Sequence, residues 1–453
     1  MKNQYLLVLL TLIGFLMQSC TDYLDVKPNK SLVVPSSLDD FQGLLDAEHR
    51  GMNSYPINGS ISSDDHVFGE GLLQGLEFEP SATYFWKKNV NRPDIEDVNW
   101  DFPYRKVFYA NVVLDGLKNY TTKNQFEDIR KKELEASARF YRAMGHFEIL
   151  MHFAEPFDPS KNGQLGIPVR LTSDVNVKIV RSSMDDSFKQ IIDDLEYGVQ
   201  FLSNKSKIQT RPSKWSSLAM LGRVYLTMHD YSNAYEYSKR TLEIDKTLMD
   251  YKSLNSNLPY SFKTFNSEVI FHQRQFTYTG TSDAENVVNP ELVNLYDNKD
   301  QRIKYFFIPS GTIGKFNFRG NYTGDYYHFG GIATDEVVLN LAESAFRVGK
   351  ENEALEAINY LLENRMESGF TKIVGLTGSN LLKKIVLERR KELLYRGIRW
   401  LDLKRHNLYP ELAVTLRRNF NIADGTLEPG SSRYTFMIPP TEMNLNPMQQ
   451  NVR

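Results

Sequence analysis

One spacing of apolar and small residues occurs twice in this chain and dictates stacked helical hairpins. Leu218, Leu221, Gly222, Tyr225 and Ala234 fall at the separations of the tetratricopeptide pattern, and Val338, Leu341, Ala342, Ala345 and Ala354 repeat them. In each copy a small residue, Gly222 or Ala342, is followed twelve positions on by an alanine, Ala234 or Ala354. Small residues at those two places let antiparallel helices touch closely. A single copy is equally well explained as any amphipathic hairpin with alanine at its contact; two copies in register favour a repeat scaffold.

Other segments extend the helical reading. A helix is predicted from about Ile129 to Phe153, with Leu134, Ala138, Tyr141 and Gly145 on one face, and the helical pattern starts at Tyr104. A last helix is predicted from about Asn380 to Arg405, its buried stripe formed by Leu382, Ile385, Val386, Leu393, Gly397 and Trp400. From Asp40 to Pro103 scattered Gly, Pro, Asn and aromatic residues without a sustained period predict short helices and long loops. Residues 255–333 form a loop excursion punctuated by Pro259, Pro290, Pro309 and several glycines, with alternation at Phe316 and Phe318 predicting a short strand. The expected fold is all-α: a tetratricopeptide-like helical-hairpin scaffold, with units at about 104–250 and 334–408, minor short strands, and a loop-rich face. Long irregular stretches inside a compact domain usually carry function.

The beginning of the chain reads as an export signal. Lys2 supplies a positive charge, Leu6 to Met17 is an apolar run too short to span a membrane, and Ser19 precedes Cys20. Cys20 is the only cysteine, placed where a lipoprotein signal peptidase would leave it as an acylated first residue. Met17 stands where a leucine is usual, so an ordinary secretory signal is the alternative. The expected organisation is a signal over 1–19, a lipidated tether over 20–37 and one α-helical domain over 38–453. No thiol is left for a disulfide, so the fold must rest on its core. A formal net charge of −2, from 54 basic and 56 acidic residues, gives no global field to gather nucleic acid, which is excluded as a partner.

Several strings, spread from Cys20 to the last residues, resemble the RagB/SusD family. Cys20 followed by Tyr23-Leu24-Asp25 is similar to the family's opening, and Tyr141-Arg142-Ala143, Phe147 and Pro156 to its second landmark. The run from Glu388-Arg389-Arg390 through Glu392-Leu393, Gly397, Arg399, Asp402-Leu403 and Arg405 resembles its most specific motif. Pro439, Glu442, Asn446-Pro447 and Gln450-Asn451 are similar to its ending. Arg396, where the family commonly has an acidic residue, and Ala154, where it usually has glycine, depart from the pattern. The resemblance implies four tetratricopeptide-like units, a surface-exposed outer-membrane location, no catalysis, and a SusC-type TonB-dependent transporter as partner. An oligosaccharide, or in some members an oligopeptide, would be captured and handed to that transporter.

The charges of that motif read as scaffold rather than site. Glu392 and Arg396 are one helical turn apart, as are Arg399 and Asp402 beside Trp400, so both pairs are expected along one helix. Glu388, Arg389, Glu392, Gly397, Arg399, Trp400 and Asp402 are accordingly assigned to structure.

No zinc-protease string, nucleophile elbow or phosphate loop occurs; Gly311, Gly314 and Lys315 lack the last one's spacing. Asp64-Asp65-His66 offers a metal or hydroxyl contact as well as a turn cap; no cofactor is required, and bound calcium is left open. Aromatic residues in the irregular segments are the ligand-binding candidates: Tyr84, Trp86, Trp100, Tyr278, Tyr322, Tyr326 and Tyr327. A pyranose presents an apolar face that a ring can cover while Asn89, Asn91, Arg92, Asn321 or Asp325 meet its hydroxyls. The same rings could instead pack loops onto helices. The rival function is a surface scaffold holding another protein in its helical grooves.

Overall fold

The computed structural model describes residues 35–48, 51–282, 284–418 and 425–453. Cys20, the signal and the tether up to residue 34 lie outside the described residues. Among the described residues the helices of eight residues or more are α1 Leu38–Leu45, α2 Val98–Asn119, α3 Gln125–Phe153, α4 Met184–Phe201, α5 Lys214–Thr227, α6 Tyr231–Ile244, α7 Thr334–Arg347, α8 Glu351–Glu363, α9 Gly378–Glu392 and α10 Arg399–His406.

Local chemistry starts these helices. Ser37, Asp97, Asn124, Ser183, Ser213 and Asp230 each accept a backbone N–H from the first turn of α1 to α6 in order. Each such cap stabilises by about 1 kcal/mol. The cap at Asp97 starts α2 at Val98, six residues before the Tyr104 expected from sequence, and Pro103 is carried inside the helix. A Cβ at Gly145 would lie 2.6 Å from the Pro103 carbonyl oxygen, so only glycine lets α3 cross α2 so closely there.

From α2 to α6 each helix packs on the next, and α6 packs on α7 across the intervening excursion, which makes the two hairpins carrying the repeated spacing, α5–α6 and α7–α8, stack as neighbours. Gly222 meets Ser238 of α6, where a Cβ would come within 3.0 Å of the hydroxyl. The excursion has a core of its own around Tyr251, Phe262, Phe306 and Phe329, closed by Leu394 and Tyr395 from beyond α9. Strands are two to three residues long and pair in twos; Phe316–Phe318 pairs antiparallel with Phe307–Pro309.

The last helix is not continuous. It breaks between α9 and α10 because Tyr395 and Gly397 take the left-handed backbone, at φ 57° and 76°. The two pairs expected along one helix therefore do not form. Glu392 accepts from Arg302 and Arg365, and Arg396 donates to Asp335. Arg399 and Arg390 both grip Asp64, while Asp402 accepts from Arg389 and Arg405. Trp400 is fully buried against Tyr434, with ring centres 4.7 Å apart. Buried charges of this motif thus tie the excursion, through Arg302 and Asp300, and the early loop at Asp64 to the scaffold.

Candidate functional site

The stretch Arg274 to Ser282 borders three clefts on the loop-rich side. The largest, about 500 Å³, lies between Tyr278 and the segment before α2, where Arg92 pairs with Glu79 at 2.6 Å and Asn91 donates to Asp97 at 3.1 Å. A second cleft of about 280 Å³ is lined by Tyr260, Asn286, Phe318, Tyr326, His328 and Tyr395. A third, about 290 Å³, is lined by Asn53, Phe265, His272, Arg274 and Tyr327 among others. Between the second and third stands a pair of stacked rings, Tyr326 and Tyr327, with centres 4.4 Å apart and planes at 26°. Tyr326 is 43% exposed, and the Arg274 guanidinium lies 5.1 Å from the Tyr327 ring centre while pairing with Asp325 at 3.0 Å.

The backbone break in the charged motif builds the second cleft. Tyr395 is held in its left-handed conformation by Gln275, whose side-chain amide donates to the Tyr395 carbonyl at 2.7 Å, and by Phe318, whose ring stacks on it at 4.7 Å and 12°. Gly397 follows because a Cβ there would come within 2.6 Å of the Tyr55 ring. The buried Tyr395 hydroxyl has no hydrogen-bond partner among the described residues, nor have His328 Nδ1 and Asn286 Oδ1. Asn286 cannot reorient freely, since its Nδ2 donates to the carbonyls of Gly280 and Thr281 and to the Tyr278 hydroxyl. Burial lowers the pKa of His328 to about 4, so its ring is neutral near neutral pH. Unsatisfied buried polar atoms cost about 1–3 kcal/mol each, a cost that ligand hydroxyls or water would offset. The arrangement offers ring faces for apolar C–H surfaces and fixed polar atoms for hydroxyls.

Of the seven aromatic candidates from sequence, the structure brings Tyr278, Tyr326 and Tyr327 to this face. The other four are corrected. Trp86 is fully buried, its Nε1 donating to the Ser62 carbonyl and the Arg418 guanidinium 4.9 Å from its ring centre. Tyr84 is stacked on Phe68 at 4.2 Å, and Trp100 is wedged edge-on against Phe153. Tyr322 is buried with its hydroxyl bonded to Glu268 and Asp335. Large rings gain most from burial, and these four stand where helices and loops close on them. Asp64 is occupied by two arginines, and His66 Nε2 lies 3.2 Å from the Ile61 carbonyl, so this triplet serves as a clamp. The carboxylates of Glu268, Asp335 and Glu392 converge within 4.8 Å, but Arg302, Arg365 and Arg396 neutralise them. Sequence reasoning missed Tyr395, hidden in the motif assigned to structure, as well as His328, His272, Asn286, Asn53 and Phe265.

Two family models match the sequence. One, described as starch-binding and associating with the outer membrane, covers residues 22–226, and the SusD family model covers residues 334–453. The chain belongs to the RagB/SusD family. Among solved structures it is similar to a SusD superfamily protein from Bacteroides thetaiotaomicron, at 21% identity and a TM-score of 0.74 over 92% of this chain and 100% of that one. It is also similar to a SusD-like carbohydrate binding protein from Bacteroides vulgatus, at 17% identity and 0.69 over 91% and 97%. A laminarin binding SusD-like protein matches at 19% identity and 0.65 over 91% and 98%. At such identities the likeness speaks for the shared fold, the helical tetratricopeptide-like scaffold that the repeated spacing predicted. No curated protein matches the sequence significantly.

Proposed function

We propose that this RagB/SusD protein is anchored to the outer membrane through acylated Cys20, faces the cell exterior, and captures an oligosaccharide on its loop-rich face. It passes that ligand, unaltered, to a SusC-type TonB-dependent transporter. The observation that carries the binding claim is the stacked Tyr326–Tyr327 pair, Tyr326 exposed and Tyr327 half-buried, beside a cleft whose lining residues keep unpartnered polar atoms. Rings and fixed neutral hydrogen-bonding groups suit a sugar, with its apolar faces and directional hydroxyls. The starch-binding description of one matching family model and the laminarin-binding neighbour point the same way. Anchorage rests on the apolar run before Cys20; no helix among the described residues is long and apolar enough to cross a membrane.

The test is affinity electrophoresis of the purified protein through gels containing starch or laminarin, with a calorimetric panel of short peptides alongside. Retardation by a glycan that is lost in Tyr326→Ala/Tyr327→Ala is the expected result. Binding to peptides alone would overturn the sugar assignment, and binding to neither, with an unrelated protein co-purifying, would favour the scaffold reading.

A further inference from the structure

The second and third clefts carry the same set of groups. In one, Tyr395 at φ 57° meets His328 edge-on, with ring centres 4.8 Å apart. In the other, Phe265 at φ 58° meets His272 edge-on at 4.9 Å. Nδ1 of each histidine is buried without a partner among the described residues. Each cleft also has an asparagine pinned by its amide nitrogen to backbone carbonyls: Asn286 to Gly280 and Thr281, Asn53 to Thr210 and His272. That tether leaves Oδ1 of both asparagines unpartnered. Left-handed backbone on a bulky non-glycine residue costs on the order of 1–3 kcal/mol and gathers at functional sites. Phe265 is 47% exposed, so burial of its side chain contributes little to folding.

Two copies of one recognition set, set apart by the stacked Tyr326–Tyr327 pair, fit a ligand that presents the same group twice. We propose that the two clefts are like subsites for two units of one repeating oligosaccharide, which crosses the tyrosine ridge between them. This rests on the glycan reading above and adds to it a minimum length: one unit in each cleft and at least one over the ridge. The shared set of asparagine, histidine and aromatic ring carries no formal charge near neutral pH and suits hydroxyls, while Arg319 in the second cleft and Glu48 and Arg274 in the third are charged groups that the two clefts do not share. Joining two weak subsites through one ligand raises affinity on the order of a hundredfold or more over either alone.

Calorimetry of the purified protein with starch- and laminarin-derived gluco-oligosaccharides, from two units upward, tests this. The shortest binders are expected to bind weakly with two per protein, and the longer ones with one per protein and roughly a hundredfold tighter. Phe265→Ala, at an exposed position, is expected to halve the stoichiometry of short ligands and to bring long ones down to single-cleft affinity. Equal affinity and one-to-one binding at every length, or no effect of Phe265→Ala on long ligands, would overturn the two-subsite proposal while leaving glycan binding intact. Failure of every oligosaccharide to bind would instead overturn the glycan reading and this proposal with it.

Discussion

Replacing Arg302 by methionine tests whether the family motif's charges hold the excursion to the scaffold. The Arg302 side chain is fully buried and donates to Asp300, Glu388 and Glu392 at 2.6–2.9 Å. Methionine fills similar length without the charge, leaving three buried carboxylates with fewer cations. Glu392 keeps Arg365, Asp300 keeps Lys391, and Glu388 keeps Lys384 and Lys391. Removing one partner of a buried ion pair costs about 3–5 kcal/mol, and the retained partners put the expectation near the lower bound. A chain of this size has an unfolding entropy of roughly 0.9 kcal/mol/K, so about 3 kcal/mol lowers Tm by about 3 °C. Scanning calorimetry of Arg302→Met beside Lys189→Met measures it. Lys189 pairs with Asp193 at the surface, 72% exposed, and its loss is expected to move Tm by under about 1 °C. Equal small shifts in both variants would refute the strut role of the motif.

Three further outcomes follow from the site. Tyr395→Phe removes a buried hydroxyl without a partner, so it should leave Tm unchanged or slightly raised yet weaken oligosaccharide binding about tenfold, as titration calorimetry would show. Trp86→Ala should do the reverse, costing about 3–5 kcal/mol of stability in denaturant unfolding and leaving the affinity of folded protein unchanged. Burial, joined at His272 by the nearby Arg274, holds both His328 and His272 at a pKa of about 4, so both rings stay neutral well below their usual range. Affinity should then be flat from pH 8 to about 5.5, since protonation that would turn Nδ1 into a donor begins only as pH nears 4. An inflection between pH 6 and 7 would contradict this.

The scaffold was legible in the sequence because its signals are local and periodic. Gly222 and Ala234, then Ala342 and Ala354, announce helix contacts whatever surrounds them, whereas helix starts were read less exactly: the start expected near Ile129 lies at Gln125, behind the Asn124 cap. Pro103 misled because a proline beyond the first turn of a helix reads as a breaker, yet α2 carries it as its sixth residue. The charged motif was assigned to structure on one-turn spacing, but its partners Arg302, Arg365, Asp335 and Asp64 are far away in sequence. The site was less legible. Exposure decides whether a ring binds or packs, and nothing local distinguishes buried Trp86 from exposed Tyr326. Tyr395, Phe265 and the two histidines owe their placement to left-handed backbone and to contacts with distant segments, which no short-range pattern encodes.

Glycan capture at the tyrosine ridge is tested most directly by a crystal structure of the protein soaked with the oligosaccharide that binds it best. Sugar density is expected across Tyr326 and Tyr327, with a unit in the cleft of Tyr395, His328 and Asn286. Density seated on a helical face of the scaffold, or at the Arg92–Glu79 cleft with the ridge left bare, would contradict the account.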